Sequence, residues 1–95
     1  MGALLASQMF AQDADAGKSL FENNCMVCHN ADSDVRKMGP GLKGLFSHDK
    51  LNNGEAVNDE TVTTFINQGG NGMPGFADLL TDAEKTNLIA YLKTL

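Results

Sequence analysis

The residues with the most chemistry in this chain fall together in one run, Cys25-Met26-Val27-Cys28-His29, which holds both of its cysteines. Two thiols at that spacing, followed at once by an imidazole, read as a c-type haem attachment site. The porphyrin sets the spacing: the thiols add across the two vinyl groups on one edge of the ring, and the adjacent histidine then reaches the iron beneath it. Cys25 and Cys28 are therefore expected as thioethers. His29 is expected as the proximal ligand, binding through one ring nitrogen while the other donates to an acceptor that fixes its tautomer. Three other uses of the run compete. A zinc site wants four ligands, and beyond this cluster the histidines and cysteines offer only His48. A thioredoxin-like dithiol wants a βαβ pattern, and no strand pattern lies near. A plain disulfide leaves the histidine without a role.

Iron in a six-coordinate electron carrier needs a second axial ligand, and Met73, within Gly72-Met73-Pro74-Gly75-Phe76, is the candidate that context favours. Glycines at 69, 70, 72 and 75 let backbone approach a flat ring, and Pro74 holds a turn that aims the thioether. Met1, Met9, Met26 and Met38 have weaker claims, Met26 lying between the attachment cysteines and Met38 close behind His29. His48, in the polar stretch Ser47-His48-Asp49-Lys50, stays open as the alternative distal ligand. Gly39 to Gly44 and Gly70 to Gly75 both match G-x-G-x-x-G, but neither follows a strand or opens a helix, so a dinucleotide site is not read from them.

Three helices must position these groups. Asp13 caps and Asp15 complements the start of a helix over about 14–24, with Gly17, Leu20, Phe21 and Asn24 on one face. Asn58, Asp59 and Glu60 begin a second over about 59–68, which carries Val62, Phe65 and Ile66 and stops at Gly69-Gly70. Thr81 and Glu84 form a capping box ahead of a third, over about 82–95, with Leu88, Ile89, Leu92 and Leu95 at helical spacing. Residues 30–56 are rich in Gly, Asn, Asp and Ser and read mostly as loop. A stretch of roughly 25 residues without structure is uncommon in a compact domain unless it wraps something. Residues 1–12, apolar and small, are set aside as a signal or tag remnant or a leading extension, so one domain is expected over 13–95.

Twelve acidic against seven basic residues, a net charge of −5, exclude a nucleic-acid partner, whose phosphates need clustered Lys and Arg. No apolar run approaches the ~20 residues of a membrane span. Aromatics make up only 6% of the chain and tryptophan is absent, so something other than aromatic side chains is expected to fill part of the core.

Taken in order, these features resemble class I cytochrome c, and specifically its small bacterial monohaem members, over about residues 13–95. Gly17 and Phe21, with Leu88 and Tyr91, resemble that family's crossing terminal helices. Gly39-Pro40-Gly41-Leu42 resembles its proximal loop, which implies that the Pro40 carbonyl accepts the hydrogen bond of His29. Gly72-Met73-Pro74 resembles its distal-ligand loop. The resemblance implies an all-α cytochrome c fold around one covalent haem c, with His29 and Met73 on the iron and Cys25, Cys28 and Pro40 completing the cofactor site. Two departures stand out: the mid-chain tryptophan that bonds a haem propionate in mitochondrial members is missing, and the chain is acidic where those members are ringed with lysine.

The expected function is single-haem electron transport between redox proteins, membrane or periplasmic oxidoreductases, without substrate turnover. Cysteine attachment of haem implies an exported bacterial compartment, the periplasm or the outer face of a membrane. A small haem sensor or peroxidase-like protein with a labile distal methionine, or a haem module of a larger oxidoreductase, are the alternatives.

Overall fold

The computed structural model describes residues 13–95 apart from 52 and 71, so the reading of residues 1–12 lies outside the described residues. Three helices occur in chain order, α1 (Ala14–Asn24), α2 (Asp59–Gln68) and α3 (Asp82–Leu92). Each starts where a side chain can take up orphan backbone N–H groups. The Asp13 carboxylate accepts from Asp15 N and Ala16 N at 3.0 and 3.1 Å. Asn58 and Thr61 exchange bonds across the first turn of α2, as Thr81 and Glu84 do at α3. Gly69, at φ 68°, ends α2 in a conformation other residues resist.

The third helix is shorter than its periodicity predicts, which extended it to Leu95. After Leu92 the chain tightens into a turn: Thr94 N donates to the Tyr91 carbonyl at 2.9 Å, and the Thr94 hydroxyl donates to that same oxygen. These short-range bonds compete with continuation of the helix. Residues 30–56 are loop as expected, with two local features too short for any periodicity to announce. One is a 3-10 turn at Leu45–Ser47, and the other is an isolated antiparallel bridge between Lys50 and Ala56. Among the described residues there is no named strand, so the all-α reading holds.

Packing of α1 against α3 dominates the contacts between helices. Gly17 makes this possible: a Cβ there would collide with the Asn87 backbone carbonyl and come within 2.9 Å of the Tyr91 Cβ. The close approach brings the Phe21 and Tyr91 rings to 5.5 Å, tilted by 54°. Asp13 N also donates to the Asn87 side chain at 3.0 Å, joining the start of α1 to α3. Phe21 and Leu88 are fully buried at this junction, each worth ~1.5–3 kcal/mol relative to exposure. Val62 and Ile66 of α2, Phe76 and Leu80 of the connection, and Ile89 and Leu92 of α3 complete the buried core. Phe76 and Leu80, four apart, were not among the expected core positions; they bury because Phe76 N donates to the Ile66 carbonyl at 2.8 Å and turns the connection inward.

Candidate haem site

These buried side chains leave a cavity of about 550 Å³ between them and the glycine-rich loops. That volume is within the range of small-molecule and cofactor sites. Its wall is largely apolar, with Phe21 from α1, Leu42 and Leu45 from the long loop, Val62 and Phe65 from α2, and Leu88 from α3. Cys25, Cys28, His29, Pro40 and Met73 all line it as well, so every expected site residue meets at one cavity although they span 48 positions of the chain (25 to 73).

The end of α1 positions the attachment run. Cys25 caps that helix, its N–H donating to the Phe21 carbonyl at 2.8 Å, and His29 N returns to the Cys25 carbonyl at 3.0 Å. The two thiols are therefore carried on a single tight turn rooted in the core. Burial, and secondarily the neighbouring Cys28, push the Cys25 thiol up to about 11. Redox dithiols need the opposite shift, toward a thiolate at neutral pH, so the pair is poorly suited to disulfide exchange.

His29 has its Nδ1 2.8 Å from the Pro40 carbonyl oxygen. A carbonyl only accepts, so Nδ1 carries the proton, and Nε2 keeps a lone pair for a metal. Gly39 lies against the same ring: a Cβ on it would run into the imidazole, within 2.8 Å of Nδ1. Sequence reading assigned no role to Gly39 beyond its place in the proximal loop. Its only signal was adjacency to Pro40. Gly39 N also donates to the Cys28 carbonyl at 2.8 Å, and Leu42 N to the Asn30 carbonyl at 2.8 Å, stitching the proximal loop to the attachment run.

Met73 is partly buried, packed against the core and on the cavity wall. A pair of backbone bonds, each 3.0 Å, closes the turn between Gly70 and Met73. Met38 also reaches the cavity, but it is 78% exposed and its sulfur is 3.9 Å from Cys28 Sγ, beside the attachment run. Met26 does not line the cavity and is exposed. His48 lines the cavity too, exposed, with Nε2 3.3 Å from the Lys43 carbonyl of its own loop. Arg36 and Lys50 are further cationic residues on the wall.

The donor set fits a covalently held haem: two thiols on one turn, an imidazole with its tautomer fixed, a thioether, and an apolar cavity whose proximal cradle a single Cβ at Gly39 would obstruct.

Comparison with known proteins gives the same picture. A family model described as cytochrome c oxidase, cbb3-type, subunit III matches residues 12–92. The chain is 29% identical to cytochrome c of Euglena viridis, over 87% of this chain and 97% of that protein. It is 32% identical to cytochrome c6 of Gracilaria tenuistipitata var. liui, over 87% of this chain and 73% of that one. Among solved structures it is similar to cytochrome c6 from the diatom Phaeodactylum tricornutum, with a TM-score of 0.69 and 27% identity, covering 86% of this chain and 92% of that one.

Proposed function

This chain belongs to the class I cytochrome c family, electron carriers with one covalently attached haem c, and on that premise we propose that His29 and Met73 would hold its iron and that Cys25 and Cys28 would anchor its ring as thioethers. The observation that supports this reading is the convergence of all four side chains on one apolar cavity, with the Nδ1–H of His29 held by the Pro40 carbonyl. When bound, the haem supplies an iron that alternates between ferrous and ferric states.

The chain's own residues set the conditions for that exchange. Pro40 keeps the proton on Nδ1, orients the ring and raises the donor strength of Nε2. The Met73 thioether, as a soft ligand, would favour ferrous iron and so raise the potential. Val62, Phe65 and Leu88 keep water from the cavity, which disfavours the extra charge of the ferric state.

Partner contacts are assigned to the cavity mouth beside the attachment run. Val27, Val35 and Met38 are large apolar side chains exposed there by 75, 65 and 78%, and Val27 and Met38 lie on the cavity wall. Surfaces of that kind mark protein contact. The proposed partners are membrane or periplasmic oxidoreductases. The proposed compartment is an exported one, the bacterial periplasm, since haem attachment through cysteine belongs there; relatives such as the Euglena viridis cytochrome c show that the family is not confined to bacteria.

Met73→Ala tests the ligand assignment. The ferrous variant is expected to bind CO readily and to have a lower potential, with Cys25, Cys28 and His29 still in place. A variant that keeps the unmodified spectrum and refuses CO passes the distal role to His48. CO binding by the unmodified protein instead favours the sensor reading.

A further inference from the structure

Lys85 is the one charged side chain buried among the described residues, 7% exposed, in a core otherwise made of hydrocarbon and aromatic rings. Its Nζ donates to the Ala77 backbone carbonyl at 3.2 Å. The nearest carboxylate, Asp82 one turn back on α3, is 3.9 Å away with its own side chain fully in solvent, and such a pair contributes little. The carbonyl is therefore the principal partner. Burying an ammonium is costly unless it makes a bond that matters, so the position of Ala77 is informative.

Ala77 lies in the connection that carries Met73 back to α3. That connection is held by the Gly70–Met73 turn before it, by Phe76 N to the Ile66 carbonyl and Leu79 N and Leu80 N to the Phe76 carbonyl within it, by the buried Phe76 and Leu80 side chains, and by the Thr81–Glu84 box where α3 begins. Among the described residues, Lys85 makes the only side-chain hydrogen bond to the stretch from Met73 to Leu80. Pro74 and Gly75, which follow Met73, are both exposed.

We infer that Lys85 is a positioning residue for the distal ligand, its ammonium clamping the Ala77 carbonyl to α3 and so keeping the Met73 thioether on the iron. The inference rests on the assignment of Met73 as distal ligand. Loss of the clamp would loosen the connection at Ala77, between the buried Phe76 and Leu80, and let the thioether leave the iron more often.

The experiment uses the full holoprotein carrying Lys85→Met, which keeps an unbranched apolar stem and removes the donor. A bond from a charged donor is worth enough that the apparent CO affinity of the ferrous form should rise about tenfold or more. The ferric absorption of the iron–thioether bond should weaken in parallel, and Lys85→Arg should restore both. If Lys85→Met gives no folded holoprotein, Lys85→Leu, shorter and also without a donor, is read by the same two signals. Wild-type CO inertness and an unchanged thioether absorption overturn the proposal, even if the urea midpoint falls, because that is the signature of a purely structural lysine. Absence of the thioether absorption in the unmodified protein overturns the Met73 assignment itself and the clamp with it.

Discussion

Gly39 lies where any side chain would meet the His29 imidazole, so the orientation of the proximal ligand depends on a residue with no chemistry of its own. A methyl group there must displace the ring or the backbone, and either movement lengthens the 2.8 Å bond from Nδ1 to Pro40. Gly39→Ala is accordingly expected to cost ~1–3 kcal/mol, the range of overpacking in a filled site. The expected readouts are a lower urea midpoint of the holoprotein and a shifted magnetic-resonance signal of the Nδ1 proton. If both stay at their unmodified values, the ring does not depend on the space that Gly39 leaves. The cysteines, His29 and Met73 were legible from residue type and spacing, and Pro40 from the family resemblance. Gly39 and Lys85 were not, because what matters at each is the distance to something remote in the chain. A lysine three residues into a helix reads as solvated until its Nζ is seen to reach Ala77.

Helix α1 meets α3 through Gly17, and the atoms a side chain would strike there are the Asn87 carbonyl and the Tyr91 Cβ rather than the end of a flexible chain. Gly17→Val is therefore expected to force the helices apart, at a cost of ~1–3 kcal/mol or more, although it touches no site residue. Urea unfolding should show this as a lower midpoint with retained haem. Unfolding identical to the unmodified protein would mean that the helices can shift past the contact. The ion pair between Lys93 and Asp59, 2.8 Å apart, joins the end of α3 to the start of α2, but both side chains are well exposed, 39 and 57%, and such pairs contribute ~0–1 kcal/mol. Val62 and Ile66 hold α2 in place instead. Helix starts were legible because each has a capping side chain, Asp13, Asn58 or Thr81, within the sequence itself. The end of α3 was not, since apolar spacing continues to Leu95 while the backbone leaves the helix at Leu92.

The molecule as a whole carries a formal charge of −5, and haem propionates make it more negative. Arg36 and Lys37 oppose this locally: Arg36 lines the cavity, and Lys37 Nζ donates to the Met26 carbonyl at 3.0 Å beside the attachment run. Asp34 shares that wall, however. Arg36 is thus set beside an acid, and the net charge is expected to govern long-range approach. Screening acts over ~10 Å at 0.1 M salt, so exchange with a small cationic oxidant should slow as salt rises. Exchange with an anionic oxidant should quicken or stay flat. Stopped-flow rates over a range of ionic strength measure both, and an anionic reagent that slows strongly with salt would show that Arg36 and Lys37 control the cavity mouth.

The sequence by itself determined the cofactor chemistry and the helix starts, because both depend on short-range features: two thiols and an imidazole within one turn, and capping side chains two or three residues from the groups they satisfy. It also bounded the core, since so few aromatics and no tryptophan left volume to be filled. Only the tertiary structure decided which residues share the cavity, which glycines stand against another element, and why a lysine is buried in α3. Those are distances between parts of the chain far apart in sequence, set by how α1 and α3 cross and how the loops close over the space between them, and no local pattern encodes such a distance.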